Sequence, residues 1–452
     1  MIFKRKIYDE ILSWKKNSRG RTALLIEGAR RVGKSTITEE FGRNEYRSYL
    51  LIDFSMANAR LKNIFNNHLT DIDEFFLLLQ AQTNTRLYRR DSLVIFDEIQ
   101  KFPRAREAIK ALVADGRYDF IETGSLISIR ENVENILIPS EEHSIRMYPM
   151  DFEEFAQACG EKPLLDYIKE CFEKKTEAEP GLHRKAMLLL KQYMIVGGMP
   201  QSVSAYLDGS KSFHDADSAK REILSLYRKD IHKASIRYRT KILQMYDGIP
   251  GYLSKHEKKV DVGDIDAGAR TNGLADAFFW LSDSMIANEC FACSDPSVGL
   301  SLNENRTSVK CYMGDTGLLL SHTFSEKEIE DGEIYKKLVN DRLSINKGMF
   351  FENLVAQMLT AKGYELFFYT HYSEEKHRND MEIDFLISNG SKTNFKVSPI
   401  EVKSSKNYST TSLLDFKKRF RERTDRSFVI HPKNLKIENG IAYIPIYMTW
   451  LL

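Results

Sequence analysis

The chain has 452 residues, of which 42% are hydrophobic and 29% are charged, and this length suffices for about two to four domains that each bury a core. The composition excludes a short peptide, a fibre and a wholly disordered tail. Lys and Arg total 66 against 64 for Asp and Glu, and the net charge of +2 excludes a whole-molecule field that would draw the protein onto nucleic acid or a membrane.

The cysteines and the apolar stretches predict the compartment. Five cysteines do not make a disulfide framework in a chain of this size, which favours a reducing, cytoplasmic location. The basic residues 1–6 lack a following apolar run, so no signal peptide is expected. The apolar stretches 75–79 and 277–281 are far shorter than the roughly 20 residues that span a bilayer, and no membrane partner is expected.

A phosphate-binding loop is predicted near the N-terminus. Residues 22–36 contain an apolar, strand-like run, the pattern Gly28-x-x-x-x-Gly33-Lys34-Ser35 and the start of a helical segment. Such glycines let backbone N–H groups and a helix N-terminus face phosphate oxygens. The lysine is expected to reach the β- and γ-phosphates of ATP, and the serine hydroxyl to ligate Mg²⁺. The predicted nucleotide-binding residues are Gly28, Ala29, Arg30, Arg31, Val32, Gly33, Lys34, Ser35 and Thr36.

A second strand with an acidic end predicts the metal-binding and catalytic carboxylates. Residues 91–100 read D-S-L-V-I-F-D-E-I-Q, with four apolar residues before Asp97 and Glu98. Asp97 is expected to hold Mg²⁺ through water, and Glu98 to act as general base on the attacking water. The alternative is an acidic pair that caps the next helix.

A third strand and several arginines supply further candidates. The strand 119–122 leads into Thr123-Gly124-Ser125, and a hydroxyl here, Ser125 above all, is a candidate sensor of the γ-phosphate. The alternative is a turn or cap role. Arg130, Arg146 and the pair Arg30-Arg31 are candidates for stabilising the transition state, although each arginine taken alone is typical of a solvated surface.

Four segments together resemble the AAA-type ATPases of bacteria and archaea. They are Gly28–Thr36, Asp97–Gln100, Thr123–Ser125 and Pro149–Phe155. The segment 139–143 lacks the glycine-arginine turn expected of the family, so Arg146 is the candidate substitute for its arginine sensor.

Four further segments are similar to a widespread group of two-part proteins in which an AAA module precedes a C-terminal domain of unknown function. They read Gly197-Gly198-Met199-Pro200, Asp315-Thr316-Gly317-Leu318, Phe351-Glu352-Asn353-Leu354-Val355 and Glu382-Ile383-Asp384-Phe385. The resemblance covers nearly the whole chain. It implies an α/β protein with an AAA-type nucleotide-binding domain, a helical lid, a winged-helix-like middle and an α/β C-terminal domain similar to the PD-(D/E)xK nuclease superfamily. The expected boundaries are 1–155, 156–240, 241–325 and 326–452.

The middle of the chain has the outline of a winged helix. Helical patterns, including 272–285, precede strand-like runs at 287–293 and 308–313. The helix 272–285 carries two aspartates and no Lys or Arg, which favours packing or subunit contact over reading of DNA bases. Nearby basic residues that could bind DNA phosphates are Arg237, Arg239, Lys255, Lys258 and Lys259. The single C-x-x-C at 290–293 is interpreted as packed cysteines without a metal.

A carboxylate cluster is predicted in the C-terminal part. Glu401 and Lys403 lie on one face of the strand 399–404, because side chains alternate along a strand. Asp384 on a neighbouring strand and Glu401 could hold a divalent cation, with Glu352 from a packed helix as a third ligand and Lys403 orienting water. The resemblance implies phosphodiester hydrolysis for this set. The alternatives are an ordinary charged strand face, or carboxylates kept for binding alone.

The basic segment 412–423 could bind a phosphate backbone, although the pattern favours a solvated amphipathic helix. Its cations are Lys417, Lys418, Arg419, Arg421 and Arg423. The sequence therefore predicts an ATP-dependent and Mg²⁺-dependent switch or motor coupled to a nuclease-like domain, with DNA, a protein client and a second copy of the chain as candidate partners. The alternatives are an ATP-gated, metal-dependent nuclease and a non-catalytic, ATP-binding regulatory protein.

Overall fold

A computed structural model describes residues 2–124, 141–234, 236–255, 258–260, 272–297, 299–325, 333–339, 346–375, 377–388 and 396–452. The chain forms two compact units, Met1–Tyr148 and Pro149–Leu452. Across these described ranges, no helix is long and apolar enough to cross a membrane.

The first unit is built on a five-stranded sheet in which every pair of neighbours is parallel. The strand order is β2-β3-β4-β1-β5. Strands β1, β3 and β4 are buried along their whole length. Strands β1 and β3 are accordingly near-continuous apolar runs, whereas β4, D-F-I-E-T-G, also buries polar side chains. The strands are β1 Ala23–Glu27, β2 Ser48–Asp53, β3 Ser92–Asp97, β4 Asp119–Gly124 and β5 Glu142–Arg146.

Helices cover this sheet, and an aromatic cluster packs them onto strands β2 and β3. The Phe54 ring lies 5.4 Å from Phe65 and 5.6 Å from Phe96, measured between centroids. Since the strands are parallel, their carboxyl ends lie at one edge of the sheet, where ligands bind in open α/β folds. The helices are Ile7–Ser18, Lys34–Glu45, Ala59–Asn67, Ile72–Thr83 and Pro103–Asp115, with a 3₁₀ turn at Ile99–Lys101.

The second unit begins with helices and ends with a large mixed sheet. Its strand order is β12-β13-β11-β10-β9-β8-β6-β7. The helices are Phe152–Ala158, Lys162–Lys174, Pro180–Val196, Pro200–Asp208, Phe213–Ile231, Ile236–Ser254, Asn272–Asp283, Thr316–Thr323, Glu333–Val339, Lys347–Ala361 and Thr411–Arg419, with 3₁₀ turns at Leu300–Asn303 and Ile446–Leu451. The strands are β6 Ala287–Cys293, β7 Glu304–Met313, β8 Leu366–Ser373, β9 Arg378–Ser388, β10 Val397–Val402, β11 Ser427–His431, β12 Lys436–Glu438 and β13 Ile441–Pro445.

The hairpin predicted as the wing of a winged helix belongs to this sheet. Strands β6 and β7 pair antiparallel, as a wing would. Strand β6 also pairs in parallel with β8, with Cys290 opposite Leu366. The assignment of the hairpin as a wing is thus corrected, because its free edge is used by a strand more than 70 residues away.

Two of the sequence motifs pack directly against each other in the second unit. The Asp315 carboxylate accepts hydrogen bonds from the backbone N–H of Gly198 at 2.6 Å and of Leu318 at 2.8 Å. A Cβ atom on Gly198 would lie 2.0 Å from the Met150 carbonyl oxygen, and one on Gly317 would lie 2.5 Å from the Cα of Gly197. These glycines are therefore required for close backbone contact, and the motifs serve packing.

Polar side chains of the helix Lys347–Ala361 complete this junction. The Asn353 side-chain oxygen accepts from the Met313 N–H at 2.7 Å. The Gln357 oxygen accepts from the Thr316 N–H at 2.8 Å, and its amide donates to the Tyr193 hydroxyl at 2.9 Å. Buried polar groups that are fully hydrogen-bonded fix one packing arrangement, so the Phe351–Val355 motif helps to attach this helix to the preceding ones.

Candidate functional site

The loop 28–33 connects strand β1 to the helix Lys34–Glu45. A Cβ atom on Gly28 would lie 2.5 Å from the Met147 carbonyl oxygen, so only glycine fits there. Gly33 has φ of +100° and Arg31 has φ of +72°, backbone conformations that turn successive peptide groups into the loop. The helix begins directly afterwards, which places its N-terminal N–H groups beside the loop.

Lys34 is buried at the base of this loop, with a relative exposure of 7%. Its ammonium donates hydrogen bonds to the carbonyl oxygens of Gly28 at 2.8 Å and Ala29 at 3.1 Å. Burial lowers the pKa of Lys34 to about 8, against the opposing effect of the Glu98 and Asp97 carboxylates. The direct hydrogen-bond acceptors of the Lys34 ammonium are therefore neutral carbonyl oxygens.

Three elements of the first unit meet at Asp97, the last residue of β3. The Ser35 hydroxyl donates to Asp97 Oδ1 at 3.0 Å. The Thr123 hydroxyl, near the end of β4, donates to the same carboxylate oxygen. A loop serine, a strand-end carboxylate and a second hydroxyl thus form one oxygen cluster at the carboxyl edge of the sheet.

Glu98 follows Asp97 directly but has a left-handed backbone conformation. It has φ of +53° and ψ of +44° at the start of the 3₁₀ turn Ile99–Lys101, a conformation that is costly for a residue with a Cβ atom. The Gln100 amide donates to Glu98 Oε2 at 2.7 Å, and the Glu98 N–H donates to the Thr123 hydroxyl at 3.4 Å. The carboxylate is therefore held by a neighbouring amide.

The structure describes three of the four predicted arginines, Arg30, Arg31 and Arg146. Arg146 ends strand β5 opposite Glu27 of β1, and its Nε lies 4.0 Å from a Glu27 carboxylate oxygen. The Arg146 side chain is 59% exposed, and Arg30 and Arg31 are exposed in the loop. Ser125 and Arg130 lie outside the described residues, so their sensor and charge-stabilising roles stay predictions.

The first unit also buries two neighbouring acidic residues, Glu122 and Glu142. No motif in the sequence pointed to this pair. Arg106 pairs with Glu142 at 2.9 Å, and both side chains are almost fully buried. Burial, reinforced by the Glu142 carboxylate and opposed by Arg106, raises the pKa of Glu122 well above its usual value. Burial in this pair therefore favours the uncharged form of Glu122.

Two of the predicted C-terminal carboxylates, Glu352 and Asp384, lie with Glu382 around a lysine that the sequence analysis did not single out. Lys310 on β7 is fully buried. Its Nζ lies 3.4 Å from Glu352, 3.1 Å from Glu382 and 4.0 Å from Asp384, measured to carboxylate oxygens. Burial opposes its charge, but these carboxylates outweigh burial and raise the pKa of Lys310 above its usual range.

Glu352 binds two further groups, Lys258 and the hydroxyl of Tyr312. Burial opposes ionisation of Glu352, but Lys310, Lys258 and Tyr312 outweigh it and lower its pKa to about 2. Burial and the Glu352 charge raise the pKa of Asp384 to about 7, against the effect of the two lysines. We call Lys258, Lys310, Tyr312, Glu352, Glu382 and Asp384 the C-terminal cluster.

Glu401 and Lys403 pair with each other, at 2.8 Å. Burial raises the pKa of Glu401, and Lys403 opposes this. The neighbouring Asp384 uses its Oδ2 to accept from the Val402 N–H at 2.7 Å. Among the described residues, no group of three or more His, Cys, Asp or Glu side chains is placed to hold a metal ion.

The basic segment forms a helix only over Thr411–Arg419, with Leu413 and Phe416 buried beneath it. Lys417 donates to the carbonyl oxygens of Asn439 at 3.2 Å and Gly440 at 3.1 Å, and Arg423 pairs with Asp295. These two cations are therefore engaged by the protein itself. The cysteines 290, 293 and 311 are free and buried, and burial raises the pKa of each thiol.

Family models cover three parts of the chain. Residues 20–156 match the AAA domain family. Residues 187–328 and 347–449 match two families described as domains of unknown function, DUF8612 and DUF4143. The eight-stranded sheet takes β6 and β7 from the second range and later strands from the third. No curated protein matches the chain significantly.

Several solved structures are similar to this chain. A Walker-type ATPase of Pyrococcus abyssi is 14% identical with a TM-score of 0.42, over 72% of this chain and 96% of that one. The Orc1 protein of Aeropyrum pernix, solved in complex with DNA, is 12% identical with a TM-score of 0.27, over 74% and 94%. A signal-transduction ATPase of the STAND class from Pyrococcus horikoshii is 13% identical with a TM-score of 0.28, over 79% and 48%.

The family model and the site geometry agree on the nature of the first unit. The matched range contains the loop 28–33, the buried Lys34 and the Asp97 oxygen cluster. Residues 20–156 therefore form an AAA-type P-loop ATPase domain.

Proposed function

We propose that this protein binds ATP and hydrolyses it with Mg²⁺, and that it acts as a nucleotide-dependent switch or motor. The observation that carries the proposal is the meeting of the Ser35 and Thr123 hydroxyls on one oxygen of Asp97, beside the buried Lys34. Ser35 and Thr123 lie 62 and 26 positions from Asp97 in sequence, and the fold brings together the donors and oxygen ligands that a nucleotide phosphate and its metal require.

The oxygen cluster suits Mg²⁺, because this ion prefers hydroxyl, carboxylate and water oxygens. Ser35 and Asp97 would hold it. When bound, the ion neutralises charge that develops on the β- and γ-phosphate oxygens.

The chain's own residues account for binding of the phosphates. The N–H groups of residues 28–36 face the anion, and Lys34 exchanges its two carbonyl acceptors for phosphate oxygens. This exchange replaces two neutral acceptors by charged ones. Because burial already disfavours the lysine charge, a phosphate in contact with Lys34 stabilises the ammonium and raises its pKa.

Glu98 would accept a proton from the attacking water and orient it towards the γ-phosphorus. Its carboxylate is held by Gln100, and such positioning is the main contribution of a protein to phosphoryl transfer. The exposed Arg146 at the end of β5 is the proposed charge stabiliser of this reaction, with Glu27 close to its guanidinium.

We propose that the second unit responds to the nucleotide state and contacts the partner. DNA, a protein client and a second copy of the chain are the partner classes that the assay must separate. DNA cleavage is not part of the proposal, because the C-terminal carboxylates are already paired with lysines.

The test is phosphate release by the purified full chain with Mg²⁺-ATP, alone and with single-stranded or double-stranded DNA. Glu98→Gln should lower turnover by about 100-fold or more while ATP binding persists, since general-base catalysis contributes about 10²–10⁴-fold. Glu107→Gln, at an exposed ion pair with Arg104, is the matched control and should leave turnover unchanged.

Lys34→Ala should weaken ATP binding and lower turnover by about 10²–10³-fold, whereas Lys110→Ala at an exposed helix position should change neither. Wild-type turnover in Glu98→Gln would exclude the proposed catalytic role. Stimulation of Lys34-dependent turnover by DNA would identify nucleic acid as the partner, and no effect of DNA would direct the search to protein clients.

A further inference from the structure

We infer that Lys310 is the resident cation of the C-terminal cluster, and that this cluster is an ion-pair core without a divalent metal. The inference concerns the second unit and does not depend on the proposed ATPase activity. It contradicts the metal site that the nuclease resemblance implies for Glu352, Asp384 and Glu401.

The first argument is the position of the ammonium group. Lys310 extends from β7 and is fully buried, with its Nζ 3.1–4.0 Å from oxygens of Glu352, Glu382 and Asp384. A bound Mg²⁺ would need the same oxygens at about 2.0–2.1 Å. A dication and an ammonium at such short separation repel each other strongly in a buried site, so the lysine excludes the metal.

The second argument is that other donors already use the remaining oxygens. Lys258 and the Tyr312 hydroxyl both bind Glu352. The second oxygen of Asp384 accepts from the Val402 N–H at 2.7 Å. Each of these bonds would have to be broken or reoriented before the carboxylates could ligate a metal.

The third argument is the separation of the predicted ligands into two groups. Glu401 pairs with Lys403 at 2.8 Å, whereas Glu352 and Asp384 share Lys310. The described residues contain no group of three or more metal-ligating side chains. Two lysines face the three carboxylates of the cluster, and a buried charge is tolerated when it is paired in this way.

The cluster instead fastens several parts of the second unit together. Its members come from the segment 258–260, strands β7 and β9 and the helix Lys347–Ala361. Removal of one partner from such a buried set leaves an uncompensated charge. If the Lys310 ammonium is removed, a divalent metal ion could take its place among the carboxylates, and this exchange makes the inference testable.

The experiment measures Mn²⁺ binding to the full chain by electron paramagnetic resonance, without nucleotide. Every protein carries Asp97→Asn, which removes the proposed metal ligand of the first unit. With Lys310 present, we expect the same number of bound Mn²⁺ ions with and without Asp384→Asn. In Lys310→Met we expect one additional Mn²⁺ ion, a lower Tm and recovery of Tm on addition of Mn²⁺.

Two controls make the outcome specific. Lys403→Met removes the lysine of the Glu401–Lys403 pair and should add no Mn²⁺ ion. Combining Lys310→Met with Asp384→Asn should remove the additional ion. A folded Lys310→Met variant that gains no Mn²⁺ ion would overturn the inference.

If Lys310→Met does not fold, Mn²⁺ binding to the chain that retains Lys310 still tests whether the cluster holds a metal. Mn²⁺ binding that Asp384→Asn abolishes would show a metal site and overturn the inference. Metal-dependent DNA cleavage by the wild-type protein that is lost in Asp384→Asn would do the same. Equal binding in both proteins and no cleavage would support it.

Discussion

Each unit of this protein buries a lysine near acidic side chains, and the two lysines have opposite chemistry. Lys34 donates to two backbone carbonyl oxygens, and burial lowers its pKa to about 8. Lys310 lies among three carboxylates, which raise its pKa despite complete burial. In the proposed function the first lysine exchanges neutral partners for a phosphate, whereas the second already faces carboxylates. The identity of the partner, more than burial itself, distinguishes a binding site from a structural one.

The largest expected effect is on turnover in the first unit. Lys34→Met should lower ATP hydrolysis by about 10²–10³-fold, as loss of one preorganised charge stabiliser does in other enzymes. The thermal stability of the nucleotide-free protein should not decrease, because burial disfavours the Lys34 charge more than the Glu98 and Asp97 carboxylates favour it. Phosphate-release kinetics and calorimetry check the two parts. A large loss of stability would show that Lys34 is a structural lysine like Lys310.

The converse effect is expected in the second unit. Lys310→Met should destabilise it by about 3–5 kcal/mol, the usual cost of removing one partner from a buried ion pair. Turnover of ATP without added partner should remain within about twofold. Hydrogen exchange of the helix Lys347–Ala361, followed by mass spectrometry, localises the effect. Unchanged exchange in this helix would contradict a structural role for the cluster.

A smaller effect is expected from the hydroxyl that holds Asp97. Thr123→Val removes the donor to Asp97 and should lower kcat about tenfold or more, since a hydrogen bond to a charged group contributes ~1.5–3 kcal/mol. Thr83→Val is the control, because that hydroxyl donates to the helix carbonyl oxygen of Leu79 at 2.7 Å. Equal kcat values in the two variants would remove Thr123 from the site.

Gln100 should act through Glu98. Gln100→Ala should lower kcat about threefold to tenfold with little change in KM, because one neutral hydrogen bond that positions the base is lost. Gln100→Glu places a second carboxylate beside Glu98 and should shift the acidic limb of the kcat profile to higher pH. Parallel losses of kcat in both variants without a shift of the pH profile would indicate a merely structural glutamine.

The smallest effect is a difference in pH dependence. The folded-state pKa of Lys34 is lowered, so the unfolded chain binds more protons between about pH 8 and 10.4, and stability rises with pH in this window. Lys34→Met should remove that rise. The folded-state pKa of Lys310 is raised, so its contribution is fully present below about pH 10.4, and the difference between wild type and Lys310→Met should stay constant from pH 8 to 10. Urea denaturation across this range measures both differences.

The sequence predicted the nucleotide site better than the C-terminal cluster. Gly28 to Ser35 lie within one loop, and Asp97 and Glu98 are consecutive at the end of an apolar strand. Their geometry follows from local backbone structure. Lys310, Glu352 and Glu382 are 30 to 72 residues apart, and nothing in their spacing distinguishes an internal ion pair from a metal site.

The middle segment illustrates the same limit. A hairpin that follows a helix is a local pattern, and the sequence predicted the strand 287–293 with the observed bounds. Whether that hairpin stands alone as a wing or joins a sheet depends on pairing with β8, which lies far along the chain. Likewise, the glycine motif at 197–198 supported a family resemblance in the sequence. The structure explains why glycine is needed there, because Asp315 and the Met150 backbone pack directly against the motif.

The amino-acid sequence by itself determined the phosphate-binding loop, the acidic strand end and the parallel sheet of the first unit, because short-range backbone geometry and continuous apolar runs encode them. The tertiary structure alone decided which cation the C-terminal carboxylates face and which strand pairs with the middle hairpin. These features depend on contacts between residues far apart in sequence, and burial gives those contacts their energetic weight.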